Sequence, residues 1–287
     1  MNKTTIGFIG AGYMGSRFVQ KLLEAGHTVH VYNRTIEKAE PLTKMGAILE
    51  ESLTNLASSC PLIMSSLFND EAVEETYLGK DGVLEHAKKG TVIIELSSIK
   101  PETAQKIYKH AKKKGVFVLD AAVSGSTPTL EKGELLIFVG GDKDIYEKFK
   151  KLLSAFSKMS FYMGASGKGE AMKLVANILL GIEMAALAEA VTLGQTLGLE
   201  KNNIIDVLAN TAVIAPGLMG KLDNIKRDEY PTQFKTSLMK KDLDNIVEET
   251  KTHSLTLPLA NAADKEFKVA IKKYADQDFS TVFKVIK

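Results

Sequence analysis

From Gly169 to Leu197 the chain contains no proline, and Met, Leu, Ala, Ile and Val fall on every side of a helical projection rather than on one stripe. A helix that is apolar all round is a buried helix. At 1.5 Å per residue this one would span roughly 40 Å, enough to cross one domain and enter the next. The chain is therefore expected to hold two domains joined by a helical spine. Into that spine the sequence sets Lys173 and Asn177, four residues apart and so on one face, with Gly181 one turn further on. An ammonium buried without a partner costs several kcal/mol. Lys173 therefore has two readings: its stem reaches past the helix start to water, or it serves a site.

The length of 287 residues is about twice a typical domain. A formal net charge of +2 gives no basis for binding nucleic acid or an anionic membrane surface. Cys60 is the only cysteine, so no internal disulfide can form and a reducing compartment, the cytoplasm, is expected. The N-terminus has no signal-peptide layout, and Glu183 and Glu189 interrupt the apolar run after Lys173. Neither secretion nor a membrane span is expected.

The other strong signal lies at the start of the chain. A short apolar run, Thr5 to Gly10, leads into Gly10-Ala11-Gly12-Tyr13-Met14-Gly15, then a helical pattern with Met14, Phe18, Leu22 and Leu23 on one face, Gly26 as a C-terminal cap, and a second strand from Thr28 to Tyr32. A lone GxGxxG is weak evidence, but this one sits in a strand-turn-helix-strand unit of about 30 residues, the context a dinucleotide fingerprint requires. Gly10 permits the tight turn, Gly12 lets backbone approach a pyrophosphate, and Gly15 lets helix pack on strand. The phosphates would then meet the helix N-terminus. After the second strand an NAD site usually offers a carboxylate to the ribose 2′-hydroxyl, whereas this chain reads Asn33-Arg34-Thr35. Arginine occurs only at Arg17, Arg34 and Arg227. A guanidinium at Arg34 suits a 2′-phosphate, so NADP (NADPH) is the expected cofactor; the alternative is a solvated surface arginine.

Further strands are expected at Leu62 to Ser66, Thr91 to Leu96, Val116 to Asp120, Leu135 to Val139 and Met159 to Met163. Helices between them include Glu102 to Lys114 and Asp144 to Phe156. Such alternation argues an α/β, doubly wound, mostly parallel sheet of Rossmann type. Pro41 should leave the helix after Thr35 short or kinked. Ligands gather at the carboxyl ends of such strands. Ser97 and Ser98 there would hydrogen-bond a cofactor or cap the helix starting near Pro101. Ser124-Gly125-Ser126, after Asp120, offers two hydroxyls and loop N–H groups suited to a carboxylate, or an ordinary Ser/Gly turn. Beyond residue 164 strand signals stop, and helices are expected over Lys201 to Asn210, Lys240 to Thr250 and Pro258 to Lys273, with a break at Ala215-Pro216-Gly217. The expected domains are 1–163, binding NADP, and 164–287, all-helical and opening with the spine.

Together these stretches resemble one family. Gly10-Ala11-Gly12-Tyr13-Met14-Gly15 with Asn33-Arg34-Thr35, the Val123-Ser124-Gly125 turn, the Gly-x-x-Gly-x-Gly-x-x-x-Lys-x-x-Asn run ending at Asn177, and Lys241-Asp242-Leu243 look like the β-hydroxyacid dehydrogenases. That family includes 3-hydroxyisobutyrate dehydrogenases and glyoxylate/succinic semialdehyde reductases, and the likeness covers essentially the whole chain in order. The resemblance implies that Lys173 is the catalytic lysine with Asn177 beside it at the substrate. It further implies that Ser124 and Gly125 bind substrate, that Ser98 and Lys241 touch the cofactor, and that a homodimer or homotetramer forms through the helical domain. The usual Asp-Ala-Pro-Val-Ser-Gly-Gly appears here with Ala122 for Pro and Ser126 for the last Gly, which resembles the glyoxylate/succinic semialdehyde reductase branch. Ile178 stands where many relatives carry a second Asn.

The expected reaction is NADPH-dependent reduction of a small carboxylated aldehyde or keto acid, with Lys173 stabilising the developing oxyanion and donating the proton. Partial desolvation should lower that lysine's pKa. Alternatives are a 3-hydroxyisobutyrate-type dehydrogenase and a non-catalytic cofactor-binding scaffold; the lysine also argues against an imine reductase. The five histidines form no metal-ligand pair, so no metal is expected. Tyr146 and Lys150 have short-chain-dehydrogenase spacing but lie in a charged amphipathic pattern, and are read as a chance match.

Overall fold

The apolar run before the first glycine forms β1 (Thr5–Ile9), an inner strand of an eight-stranded sheet in the computed structural model, which describes residues 3–286. The other strands are β2 (Thr28–Tyr32), β3 (Ile48–Leu49), β4 (Leu62–Ser65), β5 (Val92–Glu95), β6 (Phe117–Ser124), β7 (Leu135–Gly141) and β8 (Ser157–Gly164). Their order is β3-β2-β1-β4-β5-β6-β7-β8, parallel throughout except where β6 meets β7. The inner strands β4 and β5 are buried at every position. That is why they read as unbroken apolar runs rather than as alternations.

Helices cover both faces. On one, Phe8 stacks on Phe18, and Phe156 meets Phe18 edge to face at 4.9 Å. On the other, Ile63, Ile93 and Val118 pack against Tyr77 and Ile107. The result is the doubly wound Rossmann-type sheet that the alternation implies.

Two local differences have physical causes, and the expected short helix after Thr35 is found. Strand β6 runs on to Ser124 instead of stopping at Asp120, because Leu119 to Ser124 pair antiparallel with Leu136 to Gly141 of β7. Ladder hydrogen bonds there outweigh the turn chemistry of Ser and Gly. Strand β3 is only two residues long and leaves no periodic signal. Pro41 sits in the first turn of a four-residue helix, Glu40–Thr43, which follows a 3₁₀ turn at Ile36–Lys38.

The chain divides into two compact units, one ending at Lys173 and one beginning at Leu174. The long helix, Lys168–Thr196, runs through that point. The second unit continues with helices Lys201–Ala209, Pro216–Met219, Leu222–Lys226, Thr236–Thr252 and Pro258–Tyr274, and a 3₁₀ turn at Phe279–Lys284. Its core gathers Met184, Leu187 and Val191 with Met239, Leu243 and Phe267. Asp278, almost wholly buried, accepts from Lys221 Nζ at 2.6 Å and from the backbone of Gln233 and Phe234, pinning the C-terminal turn.

The long helix departs from expectation in one respect. Val175, Leu179 and Leu193 lie on a stripe open to solvent within the single chain. It is long and apolar enough to cross a membrane by length and composition alone, with 39% of its most apolar window buried. Its other faces build the core of the second unit, so uniform apolarity here marks a helix packed on some sides only.

Candidate functional site

The strand order reverses between β1 and β4, and their carboxyl ends form the switch point at which such sheets bind ligands. Gly10 turns there with φ +100°, and a Cβ on it would lie 2.3 Å from the Ser66 carbonyl oxygen. A Cβ on Gly15 would strike the Gly10 carbonyl oxygen at 1.9 Å. Gly12 is different: a Cβ on it meets nothing within 4 Å. The first and third glycines are thus required by the protein itself, and the second faces space that a ligand would fill. The helix Tyr13–Glu24 starts at this turn with no side chain capping it, so its leading N–H groups are presented to an anion.

Asn33 holds the adjoining loop. Its Oδ1 accepts from Ala11 N at 2.8 Å and its Nδ2 donates to the Thr35 carbonyl at 2.7 Å. The amide braces the glycine turn against the end of β2. A cavity of about 210 Å³ opens beside it, lined by Gly10, Tyr32, Asn33 and Arg34 on one side and by Leu67, Ala72, Glu75 and Thr76 on the other. Arg34 and Thr35 are exposed. Tyr13 is exposed under the Arg17 guanidinium, 5.2 Å from its ring centre, and Met14 packs against the core.

Ser97 and Ser98 follow β5, and the N-cap of the helix Pro101–Lys113 is Lys100, whose side chain makes no capping bond. Ser97 Oγ instead accepts from Leu67 N at 2.6 Å. Ser98 is half-buried beside it. Ser124 ends β6; Gly125 follows at φ +134°, with Leu135 2.6 Å from where its Cβ would be. Ser126 is the N-cap of the short helix Thr127–Glu131.

One residue read only as part of a run organises the start of the long helix. Asp120 Oδ1 accepts from Gly167 N at 2.8 Å, and Oδ2 accepts from Gly169 N at 2.9 Å and Glu170 N at 3.2 Å. A carboxylate on three orphan N–H groups is an N-terminal anchor from a neighbouring strand. Burial pushes the Asp120 carboxyl above its usual range, and these N–H groups pull against that shift. Glycine at 169 follows from the same geometry, since a Cβ there would lie 2.8 Å from Asp120 Oδ2.

On this helix Lys173 is 8% exposed and Asn177 2% exposed. Within the second unit, Asn177 Nδ2 donates to Asp242 Oδ2 at 2.5 Å, and Asp242 Oδ1 lies 3.3 Å from Lys241 Nζ. Asp242 is 3% exposed. It commits the Asn177 Nδ2 as donor and leaves Oδ1 as the acceptor of that amide. Sequence reasoning named its neighbour Lys241 and gave Asp242 no task. The only available signal was its place in the Lys-Asp-Leu run. Tyr146, by contrast, gives its hydroxyl to Ser160 at 3.0 Å and is a structural residue.

A glycine turn feeding a helix N-terminus at the switch point of a doubly wound sheet defines a dinucleotide-binding protein of the Rossmann class. Residues 5–164 match the NAD binding domain of 6-phosphogluconate dehydrogenase, and residues 167–286 match the NAD-binding region of NADP-dependent 3-hydroxyisobutyrate dehydrogenase. The chloroplastic glyoxylate/succinic semialdehyde reductase 2 of Arabidopsis thaliana is 35% identical over 289 residues, covering 100% of this chain and 80% of that protein. The NAD-dependent L-serine dehydrogenase of Pseudomonas aeruginosa is 32% identical, covering 98% of this chain and 97% of that one. The structure of a Mycobacterium tuberculosis 3-hydroxyisobutyrate dehydrogenase with L-serine superposes with a TM-score of 0.89 at 27% identity, covering 99% of both chains. The chain belongs to the β-hydroxyacid dehydrogenase family, whose members are oxidoreductases acting on small hydroxy acids with a nicotinamide cofactor.

Proposed function

We propose that this protein reduces a small carboxylated aldehyde or keto acid, glyoxylate or succinic semialdehyde, to the hydroxy acid with NADPH, and that Lys173 is its proton donor. The observation that carries the reading is a lysine 8% exposed, one helical turn from an asparagine 2% exposed whose amide is already oriented by Asp242. The open space at Gly12 and the uncapped helix start beside it fit a pyrophosphate. A bound nicotinamide supplies the hydride for the carbonyl carbon.

The chain's own residues do the rest. As negative charge develops on the carbonyl oxygen, the Lys173 ammonium stabilises it and gives up its proton. Asn177 Oδ1 accepts a hydrogen bond from the ammonium or the product hydroxyl, and Ser124, Gly125 and Ser126 hold the remote carboxylate. Orientation by that grip supplies much of the rate. Ser98 and Lys241 are assigned to the cofactor. For its adenosine end, Asn33 is committed to Ala11 and Thr35, no carboxylate ends β2, and Arg34 lines the adjacent cavity. This supports a 2′-phosphate and hence NADPH. We further assign residues 1–163 to cofactor binding and 164–287 to substrate and to a homodimer or homotetramer, and place the enzyme in the cytoplasm.

The test is absorbance at the reduced-nicotinamide band with NADPH and NADH against glyoxylate, succinic semialdehyde and larger aldehydes. Lys173→Ala should keep cofactor binding and lose about 10²- to 10⁴-fold in turnover. Near-normal turnover in that variant would remove Lys173 from the mechanism, and equal efficiency with both cofactors would remove the NADPH assignment.

A further inference from the structure

Glu95 is the last residue of β5, 2% exposed, and no part of the proposed chemistry uses it. Its register neighbours on the two adjacent strands are Ser65 at the end of β4 and Asp120 on β6, so a serine and two buried acids lie in one row across the sheet. A buried carboxylate is retained only where its oxygens are hydrogen-bonded. Both of these are. Ser65 Oγ donates to Oε2, and the backbone N–H of Ser97 donates to Oε1 at 2.7 Å. Because the Ser65 proton goes to Glu95, the fully buried Tyr77 hydroxyl, which also meets Ser65 Oγ, must be the donor of that bond.

Each branch ends at the cavity beside the glycine turn. Tyr77 belongs to the helix Asp70–Leu78, whose Ala72, Glu75 and Thr76 form one wall. The Ser97 branch continues through Ser97 Oγ to the backbone N–H of Leu67, which lines the same cavity. Leu67 also flanks the Gly10 turn, its Cδ2 lying 3.2 Å from the position of a Gly10 Cβ, next to the Ser66 carbonyl. One carboxylate therefore ties a cavity wall to the segment between that wall and the glycine turn.

We infer that Glu95 is a positioning residue for the dinucleotide: held through Ser65–Tyr77 on one side and Ser97–Leu67 on the other, it sets the width of the cavity that receives the cofactor's adenosine half. The inference rests on the proposed nicotinamide-dependent activity. Ala at 95 leaves the Ser97 N–H and the Ser65 hydroxyl without their acceptor, and each then seeks a partner by moving its loop or helix. Gln at 95 retains an acceptor for one and a donor for the other.

The experiment is calorimetric titration of the wild-type protein, Glu95→Ala and Glu95→Gln with NADPH and with NADH, followed by steady-state kinetics. Glu95→Ala is expected to raise the cofactor Kd and KM about tenfold while kcat at saturating cofactor falls less than threefold. Glu95→Gln should stay within about threefold of wild type in both. Ser97→Ala cuts only the Leu67 link; should Glu95→Ala not fold, its expected fivefold rise in Kd, roughly, decides the matter. A folded Glu95→Ala or Ser97→Ala that binds as tightly as wild type overturns the inference and leaves the activity standing. A wild-type protein that binds neither cofactor overturns both.

Discussion

At the scale of single residues the three glycines of the first turn do different work, and the difference can be measured. Gly10 has φ +100° with a carbonyl oxygen 2.3 Å from its would-be Cβ, and Gly15 has one at 1.9 Å, so alanine at either must displace backbone. Gly12 has φ −78°, which any residue tolerates, and open space around it. Gly10→Ala and Gly15→Ala are each expected to lower unfolding free energy by at least about 2 kcal/mol in urea. Gly12→Ala should stay within about 0.5 kcal/mol of wild type yet weaken cofactor binding at least about tenfold, because its methyl stands where a pyrophosphate would approach. A Gly12→Ala protein with unchanged cofactor affinity would remove that space from the binding site.

At the scale of elements, the end of β5 and the middle of β6 bury two acids side by side, and pH reads them out. Burial raises the Glu95 and Asp120 carboxyls above their ordinary 4.5 and 3.8. The folded chain therefore binds more protons than the unfolded chain from those values upward, and the stability these groups contribute is full at acid pH and lost as pH rises through their folded values. His27 acts in the opposite sense. Burial lowers it below 6.5, so its contribution is full above that pH and lost as pH falls. Glu95→Gln removes one group of the first kind, so urea midpoints from pH 4.5 to 8 should show the variant gaining on wild type as pH rises; a constant offset would mean Glu95 does not titrate in that range.

This row of groups also marks where the sequence stops being legible. The β1-helix-β2 unit is readable because three glycines and two apolar runs coincide at fixed spacing, and the inner strands are readable because burial on both faces makes them continuous. An acid near the end of an apolar strand looks the same in sequence whether it meets water or, as Glu95 does, accepts two buried bonds. The extension of β6 to Ser124 depends on pairing with β7, and the tie between Asn177 and Asp242 on contact across 65 positions of sequence. Local pattern carries neither.

At the scale of the whole molecule, the long helix poses the remaining problem, because apolarity on every side has no direction. Within one chain, Leu193 is 61% exposed, and Val175 and Leu179 are more than half exposed on the same helix. Transfer of one such leucine from water is worth roughly 1.5–3 kcal/mol, and a contiguous stripe of them marks an interaction surface. A second copy of the same stripe matches it in chemistry and length, and a two-fold axis would lay each copy's residues on the other's. The assembly proposed above therefore predicts light scattering at a multiple of 31.3 kDa. It predicts further that Leu193→Glu, which places a charge on the stripe 20 positions from Lys173, shifts that mass toward a single chain. The helix should survive the change, since Leu193 is solvent-facing and glutamate is a good helix former. A wild-type protein that scatters as 31.3 kDa across micromolar concentrations would show that the stripe does not pair two copies.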